Sequence, residues 1–241
     1  MILVEGAISL KACIQSNKRR IDKVYIDSSK KTKDFNYLRR IIKENNIELN
    51  EISREEFSSF PIGKTHGGII GYAEERKSDD FDEGDIFFID GIEDPFNLGY
   101  IIRTVYAFGI NNILLPKRDY SYMEAQIIKS SAGAFEMANI RYCEDSEADI
   151  KKLMEEGYTT YALKRGEDAT DIFDEVFKDK ALFMLGGEKR GISKGLMEIC
   201  DRFIYIPYGN EFRNSLSGAA AADVCATLLF RQRRHDRITG K

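Results

Sequence analysis

Histidine occurs only twice and cysteine four times in these 241 residues, and no two cysteines stand at C-x-x-C spacing. A structural zinc site draws about four ligands from clustered Cys and His. His66, His235, Cys13, Cys143, Cys200 and Cys225 are scattered, so no metal is expected. The cysteines read instead as reduced, mostly buried thiols in a reducing compartment. No apolar run approaches the roughly 20 residues that a membrane span needs. The opening MILVEGAISLKAC meets an acid at Glu5 and has no basic n-region, unlike a signal peptide. A cytoplasmic location without membrane contact is therefore expected. Neither the P-loop pattern G-x-x-x-x-G-K-[ST] nor the dinucleotide fingerprint G-x-G-x-x-G is present.

What remains is an ordinary globular composition, 43% hydrophobic and 32% charged. The length suits one large domain or two small ones. A net charge of −4 argues against a protein that simply coats nucleic acid, but the charge is unevenly spread. Residues 1–77 and 231–241 are net basic, and the stretch between them is strongly acidic. The two ends, not the middle, suit a polyanion. A single run such as Lys18-Arg19-Arg20 reads, by itself, as a solvated face.

Hydrophobic spacing predicts a helix over 3–14, with Leu3, Ala7, Leu10 and Ile14 on one face. KVYID (23–27) reads as a strand, and Phe35, Leu38, Ile41 and Ile42 line a helix stopping near Asn45-Asn46. IELNEI is a strand, SREEFSS a short capped helix and GGIIGYA a closing strand. Residues 1–75 thus form a small α/β domain. EERKSDDFDEGD (74–85) is dense in charge, which makes 76–85 the linker. Residues 86–241 form a second βα series. IFFID, ILLP, ANIRYC, YTTYAL, ALFMLGG and FIYIP are strands; 99–108, 122–131, 146–156 and 216–233 are helices. Apolar strands without alternation, each followed by an amphipathic helix, imply a parallel sheet covered on both faces. Ligands of such sheets bind beyond the carboxyl ends of the strands.

Three strand-end segments stand out. In DGIEDPFNLGYIIRTVYAFG (90–109), Asn97 is expected in the loop entering the helix and Arg103 on its first turns. Asn97 as a mere cap is the plain alternative. Arg103 lies within YIIRTVYAF, where a charge needs a partner, and a guanidinium suits phosphate. In LFMLGGEKRGIS (182–193), a strand runs into Gly186-Gly187-Glu188; paired glycines let a backbone approach a ligand closely, although a simple glycine-rich turn would look the same. In YIPYGNEFRNSLSGAAAADVCATLLF (205–230), a polar loop leads to Asn214-Ser215, natural N-cap residues, and then to four alanines. The alanines suit close helix packing, and helix propensity explains them equally well.

In this order the segments resemble the three signature motifs of the SpoU (TrmH-like) family of SPOUT RNA 2′-O-ribose methyltransferases. The matches are N-x5-R in the first, G-x-E-x-x-G in the second and IP…SL in the third, across residues 84–235. VEGAISLKACI and THGGIIGYA resemble the family's N-terminal substrate-binding extension. The resemblance implies a C-terminal trefoil knot, a homodimer and an RNA substrate, with S-adenosylmethionine as cofactor. Arg103 matches the catalytic arginine, and Asn97, Glu188 and Ser215 match other polar active-site positions. Gly186, with its neighbour Gly187, Ile206 and Leu216 match the cofactor-holding backbone, and Leu163 is a further contact. The third motif departs from the family's Ser-Leu-Asn, reading Ser215-Leu216-Ser217; Ser217 is shorter and lacks an amide. The preceding GNEFRN loop is about one residue longer than is common in the family, and Gly67 stands where relatives often carry glutamine.

The expected reaction is methyl transfer to a ribose 2′-hydroxyl, with ribosomal RNA favoured over transfer RNA. An arginine pKa above about 12 disfavours Arg103 as a base. Arg103 is expected instead to clamp phosphate and developing alkoxide, leaving a phosphate oxygen or Glu188 to take the proton. Lys18, Arg19, Arg20, Lys64 and His66 are the candidate RNA contacts. Two rivals stand beside this reading. One is an RNA-binding or assembly protein that kept the fold and lost turnover, which Ser217 favours; the other is a knotted enzyme that methylates a base.

Overall fold

A computed structural model of the chain describes residues 1–60, 66–187 and 190–239. In chain order the first elements are β1 (Ile2–Glu5), α1 (Ala7–Ser16), β2 (Ile21–Asp27), α2 (Lys33–Glu44), β3 (Glu48–Ile52), α3 (Arg54–Ser58) and β4 (Ile69–Ala73). There follow β5 (Ile86–Ile89), α4 (Pro95–Ala107), β6 (Asn112–Pro116), α5 (Glu124–Ser130), α6 (Ala134–Met137), β7 (Asn139–Cys143) and α7 (Ser146–Glu155). The last are β8 (Thr159–Leu163), β9 (Thr170–Asp171), β10 (Ala181–Leu185), α8 (Lys194–Glu198), β11 (Arg202–Tyr205) and α9 (Gly218–Thr239).

The chain forms two compact units, one of residues 1–77 with 119–137 and one of 78–118 with 138–241. The first carries a four-stranded sheet, order β1-β4-β2-β3, in which only β2 and β3 pair in parallel. The expected helix over 3–14 is half right. Ile2, Leu3 and Val4 are strand formers that pair with β4, and Gly6 at φ 90 turns the chain before α1 begins at Ala7. α3 has the capping box read in SREEFSS: the Ser53 side chain accepts from Glu56 N–H while the Glu56 carboxylate accepts from Ser53 N–H.

Residues 119–137, read as part of the second domain, pack with the first unit, and a buried ion network explains why. Arg19 Nε donates to Glu136 at 3.1 Å, Nη2 to Glu136 at 2.8 Å and to Glu124, and Nη1 to the Glu74 carbonyl at 2.9 Å. Arg76, expected in a solvated linker, is buried; it donates to the Phe135 carbonyl and stands 3.9 Å from Glu136. The same burial, reinforced by the negative charge of Glu136, pushes the Cys13 thiol up to about 12. Cys13, Cys143 and Cys225 are buried, Cys200 is half-buried and all four are free thiols.

The second unit carries a seven-stranded sheet, order β7-β6-β5-β10-β8-β11-β9, with every pair parallel. β5 and β10 are buried at every residue, as apolar runs without alternation predict. Stacked Phe87, Phe183 and Tyr161 fill one face of these central strands, and Phe88, Leu114, Met184 and Leu196 contribute to the core on the other. The strand order reverses direction between β5 and β10, the switch point at which a parallel sheet opens a crevice. Two helix starts differ from expectation. α4 begins at Pro95, not Gly99, because Asp94 caps it through the N–H groups of Phe96 and Asn97. The last helix begins at Gly218, not Leu216: Ser217 Oγ, not Asn214 or Ser215, accepts the Ala220 N–H at 3.2 Å.

Removing one partner from a buried ion network leaves uncompensated charge. Glu136→Gln is expected to lower the stability of the first unit by about 3 kcal/mol, read as an earlier unfolding transition in urea. An unmoved transition would show that the network contributes nothing to folding.

Candidate functional site

β10 ends at Leu185, and the chain continues through Gly186 and Gly187 to an isolated bridge between Gly187 and Gly191, closed by Gly191 N–H on the Gly187 carbonyl at 2.8 Å. A Cβ on Gly186 would lie 2.2 Å from the Gly191 carbonyl carbon, and one on Gly187 2.2 Å from the Gly91 carbonyl oxygen. No side chain fits at such separations. Backbone therefore meets backbone where β5 and β10 end.

Beyond the carboxyl ends of β8, β10 and β11 opens a cavity of about 750 Å³. Leu163, Gly186, Gly187, Ile206 and Leu216 all line it, together with Ser215 and Ser217. The entire expected cofactor set is thus gathered from three segments distant in sequence. Apolar side chains and exposed backbone groups in a concavity of this size suit a small molecule with one apolar and several polar parts.

A second cavity, of about 610 Å³, shares Gly187 and Gly191 with the first and is lined by Asp90, Asn97, Arg190 and Ser193. Asn97 is inside α4 rather than in the preceding loop, and because Asp94 does the capping its amide is left to face this cavity. Burial raises the Asp90 carboxyl above its ordinary value, against the pull of the Gly91 N–H and the Arg118 charge. Arg103 lines neither cavity. It is exposed on α4, six residues and about 120° around the helix from Asn97. Ile101, Ile102 and Val105 turn inward while Arg103 does not, so burial imposes no partner, and among the described residues none pairs with it. Glu188 lies outside the described residues.

Among the RNA candidates of the first unit, Arg20 is exposed, 3.9 Å from Asp22. Lys18 and Arg20 line a hollow of about 420 Å³ together with Asn17, Asn45 and Lys77. Arg19 is a correction. Its side chain is 1% exposed, so it is a structural ion-pair residue rather than a phosphate contact. His66 Nδ1 accepts the Gly68 N–H at 3.0 Å, and its ring stacks on Phe57 at 4.6 Å, which leaves only Nε2 for a ligand. Lys64 lies outside the described residues.

Motif reading passed over Asp90, Arg190, Arg165 and Tyr208, all of which line one cavity or the other. Asp90 directly follows β5 and was legible by position; the others become site residues only through folding. Among the described residues no three His, Cys, Asp or Glu side chains come within reach of one metal ion, and no helix is long and apolar enough to cross a membrane.

Known proteins share this fold. The family described as SpoU rRNA Methylase matches residues 85–227, and RNA 2′-O ribose methyltransferase substrate binding matches residues 3–78. Over 243 residues the chain is 26% identical to a Staphylococcus haemolyticus protein assigned to the TrmH family of tRNA/rRNA methyltransferases, with 96% of each chain covered. A Porphyromonas gingivalis protein assigned as an RNA methyltransferase of the TrmH family superposes with a TM-score of 0.80 at 20% identity, covering 96% of this chain and 90% of the other. The SpoU methyltransferase AviRb of Streptomyces viridochromogenes, solved in complex with AdoMet, does so with a TM-score of 0.79 at 20% identity, covering 96% and 89%. At these identities the two structures speak to fold alone. The methylase match, however, spans more than half of the sequence, and the chain belongs to the SpoU rRNA methylase family.

Proposed function

We propose that this chain is an enzyme that methylates a ribose 2′-hydroxyl of RNA, using S-adenosylmethionine held in the 750 Å³ cavity, with ribosomal RNA favoured over transfer RNA. One observation carries the reading: Leu163, Gly186, Gly187, Ile206 and Leu216, chosen from sequence as cofactor residues, line a single cavity. Gly186 and Gly187 let neighbouring backbone close against them and so shape the wall of this cavity, and Leu163, Ile206 and Leu216 line it beside them. The bound cofactor supplies a methyl group already activated on a sulfonium. The chain's task is to align the hydroxyl with it and to ease loss of the hydroxyl proton. Exposed Arg103 is suited to hold the adjacent phosphate and the alkoxide charge as it develops. Asn97 faces the neighbouring cavity, where a nucleotide can lie beside the donor. A phosphate oxygen or Glu188 takes the proton.

The remaining family features are part of the same proposal. A Cβ on Gly218 would stand 3.1 Å from the Ile92 side chain and 3.8 Å from the Gly186 carbonyl, so the start of α9 packs beside the loop after β10; a C-terminal trefoil knot is the proposed threading. Phe96 and Tyr100 on α4 are about half exposed, and Phe230 on the packed helix α9 is 39% exposed, in keeping with a homodimer that buries this face. The separate first unit, with Lys18 and Arg20 on its surface, is the RNA-binding part and favours a large structured RNA. Ser217 caps α9, a role Ser fills about as well as Asn; the rival without turnover, which the missing amide at Ser217 favours, is separated from this reading by whether donor binding is followed by methyl transfer.

Incubation with labelled S-adenosylmethionine and total RNA is expected to label ribosomal RNA and to release a 2′-O-methylnucleoside on digestion; a base-methylated nucleoside would overturn the ribose assignment. Gly187→Ala is expected to weaken donor binding in calorimetry about tenfold or more, because the added methyl must displace the Gly91 loop. Wild-type affinity in that variant would remove the donor from this cavity. Arg103→Lys is expected to lower kcat by about 100-fold with donor affinity unchanged; a near wild-type rate would dismiss the clamp.

A further inference from the structure

We infer that Arg165 is a positioning residue for the methyl donor: from the end of β8 it clasps the 208–216 loop that borders the cavity. The inference rests on the donor-binding reading above. Arg165 lies in none of the three motif segments, yet it lines the same cavity. Its Nη1 donates to the Arg213 carbonyl at 3.1 Å and its Nη2 to the Asn214 carbonyl at 3.3 Å. The guanidinium carbon stands 4.2 Å from the centroid of the Tyr208 ring. Tyr208 in turn accepts the Leu216 N–H through its hydroxyl at 3.0 Å. One cation and one ring therefore tie the start of the loop to its far end, next to Ser215 and Leu216.

The loop needs such a device. Residues 209–217 are exposed, and its backbone is fixed by side chains: Arg165, Tyr208, and Asn210, whose Oδ1 accepts the Phe212 N–H at 3.0 Å. Segments held by a few exposed hydrogen bonds open readily. When a ligand needs the closed form, its apparent affinity falls with the fraction closed. Clasping the loop beforehand removes part of the ordering cost of binding. Arginine suits the task as lysine does not, because one planar guanidinium reaches two carbonyls and a ring face together.

The full chain and its Arg165→Ala, Arg165→Lys and Tyr208→Phe variants should be titrated with S-adenosylmethionine and assayed for methyl transfer to RNA. Arg165→Ala is expected to raise both Kd and donor KM about five- to tenfold, with kcat at saturating donor within about twofold of wild type and Tm unchanged. Tyr208→Phe should weaken binding less, and the double variant should fall short of the combined effect, as coupled residues do. This split between KM and kcat marks positioning, because a general loss of structure would lower Tm and kcat together. Wild-type Kd in Arg165→Ala overturns the inference, as does full rescue by lysine. A wild-type chain with no affinity for the donor overturns the donor-binding reading and this inference with it.

Discussion

Where β5 and β10 end, the Gly91 carbonyl and Gly187 meet as bare backbone, and the site of the second unit depends on that contact. A methyl group at Gly187 would have to occupy space that the Gly91 carbonyl already fills. Because it is absent, the loop after β10 folds against the loop after β5 instead of bulging away from it. One cavity then opens toward β8 and β11, and the other toward α4, with Gly187 and Gly191 as their common wall. Both cavities keep their shape only while that wall stays in place. The buried parallel strands below supply the rigidity, since every residue of β5 and β10 is packed.

Four arginines show how burial decides what a cation does. Arg19 and Arg76 are sealed with Glu124 and Glu136 inside the first unit, where charge has to be matched by charge. Their role is to fasten α5 and α6 onto β1 and α1, and it leaves nothing for RNA. Arg103, on an exposed flank of α4, carries no such obligation. Arg165 lies between these extremes, exposed but engaged with two carbonyls and a ring. Exposed contacts of that kind are individually weak in water, which suits a loop that has to release as well as hold.

Much of the fold was legible in particular segments. IFFID and ALFMLGG announce buried parallel strands by lacking alternation, and SREEFSS carries its capping box in plain letters. Helix starts were less legible. Asp94 outcompetes Asn97 as a cap because Pro95 sets the first helical position, and Ser217, not Ser215, stands three residues before the N–H it caps at Ala220. The strand β1 was hidden because a short run of Ile, Leu and Val has no periodicity of its own; only pairing with β4 reveals it.

By itself the sequence determined the alternation of strand and helix, the absence of side chains at Gly186 and Gly187, and the order of the three polar segments. These are local properties: hydrophobic run length, missing Cβ atoms and hydrogen-bonding side chains act over a few residues. Tertiary structure alone decided that residues 119–137 complete the first unit, that Arg19 is a buried strut, and that Arg165 reaches the 208–216 loop. Each of those depends on which distant groups become neighbours. Burial and pairing across dozens of residues are set by packing, and no spacing within one segment encodes them.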